Sequence, residues 1–226
     1  MKIKFLLIFF SCLLLIELSS CYDKKNFEGT ITYINEFTTL NKNMTKEHLV
    51  SKFGDTVIVH IKEGYYKHLY NSTSQDGIRE ITYIPSSNKA YMRLGESDST
   101  IWFSCEHTPR KLYNTKTNSN TIKRLGKNCN EIIFESAYES DEMIYNISTH
   151  FYYSSDYLKM DKDLFELHGE SYLNKYFEYA EAMYLQYTYI EHEAFERKQT
   201  AIDIKEQKLD ISTFNIDSSK SKSFYY

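Results

Sequence analysis

The feature that most constrains this chain is a period of two in its apolar residues, repeated segment after segment. Residues 27–37 set the pattern: Phe27, Ile31, Tyr33 and Phe37 fall on one side, and Glu28, Thr30, Thr32 and Glu36 on the other. Residues 56–61 and 65–70 read as strands joined by Lys62-Glu63-Gly64, a hairpin-length connection. Further strands are expected at 78–84, 89–94 and 100–104, separated by turn clusters at 85–88 and 95–98. Residues 114–120 are polar and read as a turn, after which 122–125, 130–135 and 143–153 resume the sheet. Late in the chain, 183–190 and 195–204 return to strand, with Thr200, Ile202 and Ile204 expected on one face and Ala201 and Asp203 on the other. Residues 209–216 read as a last extended piece and 218–226 as a loose tail. About eleven strands in antiparallel succession cannot stay flat, because a twisted sheet of that width curls or closes.

Helical spacing is confined to two places. Thr45 is a plausible N-cap, Leu49, Val50 and Phe53 supply an apolar side, and Gly54 stops the helix. From 163 to 180 the apolar positions Leu164, Leu167, Leu173, Tyr176, Phe177 and Ala180 change period, with Gly169 dividing a short helix from a longer one. These helices are too few to cover a large sheet from outside, so they are expected against its concave face. The fold class is therefore mainly β (α+β): a large curved antiparallel sheet, or half-barrel, with a helical plug.

The N-terminus is a different kind of sequence. Lys2 and Lys4 precede an apolar run at 5–16 that is shorter than the roughly 20 residues of a membrane span. Leu18-Ser19-Ser20-Cys21 resembles a bacterial lipobox, in which the cysteine thiol takes diacylglycerol before cleavage. An uncleaved anchor helix or an ordinary signal peptide is the alternative. The expected division is a lipoprotein signal peptide at 1–20, a tether at 21–26, one half-barrel domain at 27–217 and the tail at 218–226. Lipidation at Cys21 would anchor the chain to a membrane, since each buried CH₂ contributes about 0.8 kcal/mol. The implied location is the cell envelope of a Gram-negative bacterium, on the outer membrane, facing either the periplasm or the cell surface. The full chain carries a net charge of −4, and 1–20 contain Lys2, Lys4 and Glu17, so residues 21–226 carry −5. There is no basic stripe, which argues against nucleic acid as a partner. A monomer is expected.

Chemistry is sparse. Cys105 and Cys129 both fall at strand positions, and an exported compartment permits a disulfide between them; two buried free thiols are the other reading. His192-Glu193-Ala194-Phe195-Glu196 misses the zinc-protease spacing, because position 196 is Glu and the context is a turn. Seven histidines are scattered without ligand spacing, and His60 and His150 read as structural groups within strands. No nucleophile elbow or phosphate-cradling glycine loop occurs. No metal, cofactor or catalytic residue is assigned, although carboxylates brought together by folding leave no trace in spacing.

Residues 27–33, Phe-Glu-Gly-Thr-Ile-Thr-Tyr, directly after a lipobox cysteine, resemble the opening of small Bacteroidetes lipoproteins of unknown function. Residues 121–129 resemble their lysine, isoleucine, glycine, two residues, cysteine signature, with Lys123, Leu125, Gly126 and Cys129 in the matching places and leucine where isoleucine is usual. The resemblance covers most of residues 27–216. It implies kinship with the periplasmic lipoprotein-carrier superfamily, an eleven-stranded half-barrel plugged by helices around an apolar cavity that takes acyl chains. On that basis Tyr33, Tyr172, Tyr176, Phe177 and Met183 are expected to line a cavity for a lipid, acyl chain or lipoprotein. The tyrosines also suit strand formation and core packing, and packing is the favoured reading for them. A non-enzymatic interaction lipoprotein with a filled core, and a hydrolase with a site assembled by folding, are the alternative functions.

Overall fold

Strand β1 (Gly29–Thr39) buries Ile31, Tyr33, Asn35 and Phe37 and leaves the residues between them half-buried or exposed, as its alternation demands. In the computed structural model, which describes residues 26–140 and 143–224, it is followed by α1 (Lys46–Phe53), β2 (Thr56–Lys62), β3 (Tyr65–Tyr70), β4 (Ile78–Ile84), β5 (Lys89–Leu94) and β6 (Thr100–Ser104). Then come β7 (Lys111–Arg124), β8 (Lys127–Ser140), β9 (Met143–Tyr153), α2 (Leu173–Ala180), β10 (Tyr184–Glu191), β11 (Phe195–Glu206) and the short β12 (Ser221–Ser223). All twelve strands lie in one curved, unclosed sheet, ordered β12-β6-β5-β4-β3-β2-β1-β11-β10-β9-β8-β7. The expected leader, Cys21 and residues 22–25 of the tether lie outside the described residues. Among the described residues no helix is long and apolar enough to cross a membrane.

The hairpins follow from local chemistry. Glu63 and Gly64 take φ values of 48° and 82°, and Leu125 and Gly126 take 45° and 77°. Two successive positive φ values match the right-handed twist of the flanking strands. Thr45 caps α1, its side chain accepting from the His48 backbone N–H at 3.2 Å.

Both helices pack against the inward face. Tyr176, Phe177 and Ala180 of α2 belong to the main core, with Ile31, Tyr33, Ile61, Phe134 and Phe151 from the sheet. Phe165 stacks on Phe177 with ring centroids 3.9 Å apart, and burying each such ring contributes about 1.5–3 kcal/mol. A smaller core forms under α1, where Leu49 meets Phe37 and Phe195. The concave face thus has a helix over each of two clusters, with space between them.

The structure departs from the sequence reading in five places. Residues 114–120 are strand, not turn, inside β7 at the sheet edge. They are polar because most of them face solvent, and the strand is held by Asn114 and Asn118 donating to Glu135 and Glu131 of β8. In β11 the alternation breaks. Thr32 pairs with Asp203 and Tyr33 with Ala201, so Ile202 is a bulge residue, and this turns both Ala201 and Ile204 toward the core. Residues 209–216 hold a 3-10 turn at Ile211–Phe214, not an extended piece, and Phe214 packs on Tyr65. Residues 221–223 of the expected loose tail form β12, which pairs in parallel with β6, and residues 225–226 lie outside the described residues. The shorter expected helix before Gly169 is a 3-10 turn at Lys162–Phe165, and a second such turn, Glu170–Tyr172, leads into α2.

The disulfide is also corrected. Cys105 and Cys129 are free, buried thiols. Cys105 follows β6, second in the sheet order, and Cys129 is on β8, the eleventh strand, so adjacency in sequence does not become adjacency in the sheet.

Candidate functional site

The space between the two helix-covered clusters is a cavity of about 200 Å³. One wall is β3, where Tyr66, His68 and Tyr70 point inward at every second position; the opposite wall is Tyr184 and Tyr187 of β10 with Arg197 and Gln199 of β11. The plug segment adds His168, Glu170 and Leu173 to the lining. Glycine at 169 lets the plug approach, since a Cβ there would run into the Glu106 carbonyl oxygen. The Glu170 N–H then donates to the Cys105 carbonyl at 3.1 Å, fixing the segment over the end of β6. A smaller pocket of about 60 Å³ shares Tyr66, His68, Leu173 and Tyr184 with the cavity and continues into Ile61, Phe165, Phe177 and Met183.

Burial sets the charge states. His168 is 1% exposed, and burial lowers its pKa to about 4. Its Nε2 lies 2.8 Å from the Tyr66 hydroxyl, and its ring is 4.4 Å from that of Tyr83. His68 is brought down to about 3, first by burial and then by the positive charge of Arg197, so both imidazoles are neutral at pH 7. Burial raises the pKa of Glu170, against the opposing pull of Arg110. The Ser171 hydroxyl donates to Glu170 Oε1 at 3.0 Å, while Oε2 has no hydrogen-bond partner.

Arg197 is the singular group. Its guanidinium lies against the rings of Phe53, Tyr187 and Tyr189, at 5.2, 5.8 and 5.9 Å from their centroids. Its Nε is buried without a hydrogen-bond partner.

The residues expected to line the cavity divide into two sets. Phe177 and Met183 line the smaller pocket. Tyr33, Tyr172 and Tyr176 are core packing instead, each hydroxyl donating to a backbone carbonyl: Tyr184 at 2.8 Å, Arg110 at 2.6 Å and Ala182 at 2.8 Å. His68, His168, Glu170 and Arg197 were not expected. The signal for Arg197 was present, because it shares inward parity with Phe195 and Ala201 on β11. His60 and His150 are structural, bonded to Thr30 and Glu131, and His192 is in the β10–β11 turn, where its Nε2 meets the Ser148 hydroxyl at 2.8 Å. Among the described residues no three His, Cys, Asp or Glu side chains form a group able to hold a metal ion. No protein-family model matches the chain, and no curated protein matches it either.

Proposed function

We propose that this chain is an envelope lipoprotein, tethered through Cys21, whose half-barrel binds a compact amphipathic molecule between sheet and plug without transforming it. The observation that carries this reading is the cavity of about 200 Å³ with aromatic walls, opening into a smaller apolar pocket. Its size narrows the ligand. An apolar cavity of roughly 150 Å³ holds a benzene ring, and sites for drug-sized molecules start near 300 Å³. A ring or short chain fits; a full acyl chain or a triacylated lipoprotein requires the plug to move. The lipobox resemblance at 18–21 and the kinship implied by 27–33 and 121–129 support the envelope location.

A hydrolase is the second reading, favoured by the Glu170–Ser171 contact of 3.0 Å beside His168. Binding alone is preferred for a physical reason. A general base works best with a pKa near the operating pH, and His168 titrates near 4. The thiol of the nearby Cys105 is raised to about 12, first by burial and then by Glu170, and is inert at neutral pH.

Native mass spectrometry of the delipidated, refolded protein tests the proposal. With benzyl alcohol, octan-1-ol and palmitate offered separately, adducts are expected with the two small molecules and weakly or not at all with palmitate. If none of the three adds, the ligand-binding reading fails and the filled-core interaction protein takes its place.

A further inference from the structure

We infer that the cavity selects ligands ending in a carboxylate, with Arg197 holding the anionic end and the apolar end reaching the pocket of Ile61, Phe165, Phe177 and Met183. This deepens the ligand-binding reading and rests on it.

The argument starts from what Arg197 lacks. A guanidinium has five N–H donors in one plane and recognises a carboxylate through two parallel hydrogen bonds. Here aromatic side chains from α1 and β10 lie against the guanidinium at 5.2–5.9 Å, contacts that draw on its charge and not on its N–H donors. The buried Nε has no partner, and among the described residues no carboxylate lies within 4.0 Å of the guanidinium. Scarcity does not explain this, because the chain has 31 Asp and Glu against 27 Lys and Arg. Leaving a buried donor unmet costs about 1–3 kcal/mol, so an arginine held inward among aromatic rings is a poor choice for stability alone.

The groups facing Arg197 agree with an anionic guest. Tyr70, whose pKa is raised by burial, lines the same cavity with Tyr187 and Gln199. His68 is kept neutral there, so it neither adds charge nor repels Arg197. From the plug, Glu170 is the one carboxyl in the lining; its pKa is raised by burial and it feels Arg110, which itself lies 5.5 Å from the Tyr189 ring. The pocket beyond Tyr66 and Leu173 is apolar, and its small volume takes only the end of a short chain, whose remaining carbons lie in the larger cavity. An acid with a short apolar body satisfies both ends.

Calorimetry on the full-length protein with octanoate, octan-1-ol and octylammonium, each well below its aggregation concentration, separates the outcomes. Octanoate is expected to bind at least tenfold more tightly than octan-1-ol, and octylammonium more weakly than either. Arg197→Gln should remove that preference, weakening octanoate at least tenfold more than it weakens octan-1-ol. Equal binding of octanoate and octan-1-ol to the unmutated protein overturns the inference while sparing the cavity reading. If neither binds, it is the cavity reading that falls. The comparison of three ligands on the unmutated protein decides the matter even where Arg197→Gln does not fold.

Discussion

Cys105 and Cys129 are both 0% exposed and unpaired, and burial pushes the Cys105 thiol up to about 12 and raises that of Cys129. A thiol reagent needs both access and thiolate, and neither cysteine offers either in the folded state. Neither should therefore react in native buffer, and both should react in denaturant with no reductant present. A disulfide would leave both silent until reductant is added; peptide mapping of the labelled protein reads the difference. The same scale shows what a sequence can say about a side chain. Inward parity was legible for Phe27, Ile31, Tyr33 and Phe37, because each strand residue's face follows from its neighbours'. Partners were not legible. Nothing in the spacing of Tyr33 shows that its hydroxyl meets the Tyr184 carbonyl, or that Arg197 has a free Nε, because those contacts cross 151 positions in one case and depend on three separate elements in the other.

Helix α1 is eight residues long, too short to be stable alone, so its cap and its docking decide whether it forms. It matters to the site because Phe53 rests on Arg197. Thr45→Ala removes the side-chain acceptor for the His48 N–H and is expected to cost about 1 kcal/mol, read as a lower urea midpoint at unchanged slope. An unchanged midpoint would mean that docking of Leu49 and Phe53 alone holds the helix. This helix was legible because its cap, apolar side and stop agree within ten positions. Elements with one wet face and one dry face were legible for the same reason. β7 was not, since an edge strand solvated over most of its length leaves a polar sequence indistinguishable from a turn. β12 was not, since three residues, Ser221 to Ser223, carry no alternation; their place is set by pairing with Thr100–Trp102 of β6. The bulge at Ile202 split the face expected to carry both Ile202 and Ile204, because a strict period of two has no term for an extra residue.

For the whole molecule, the cavity ties stability to pH through histidines held neutral. His168 falls from 6.5 unfolded to about 4 folded, and His68 to about 3. With a folded pKa below the unfolded one, the unfolded chain binds more protons between those values, so stability is fully present above about pH 6.5 and is lost as pH falls toward 4. His168 alone accounts for a loss on the order of 3 kcal/mol across that window. His60 shifts in the same direction. Glu170 acts oppositely: its raised pKa gives stability at low pH that is lost as pH rises through the folded value. The salt-bridged carboxylates Glu28, Glu36 and Glu135 are lowered, so their contribution fades only as pH drops below about 4.5. The interval from pH 6.5 to 5 therefore reports on the buried imidazoles, with Glu170 opposing them, while the salt-bridged carboxylates stay ionised. Urea midpoints measured at pH 7, 6 and 5 should fall steadily in the unmutated protein, and His168→Gln should flatten part of that fall. Parallel curves for the two proteins would show that His168 is not buried neutral, and the plug would then have to open toward water on the side that faces Arg197.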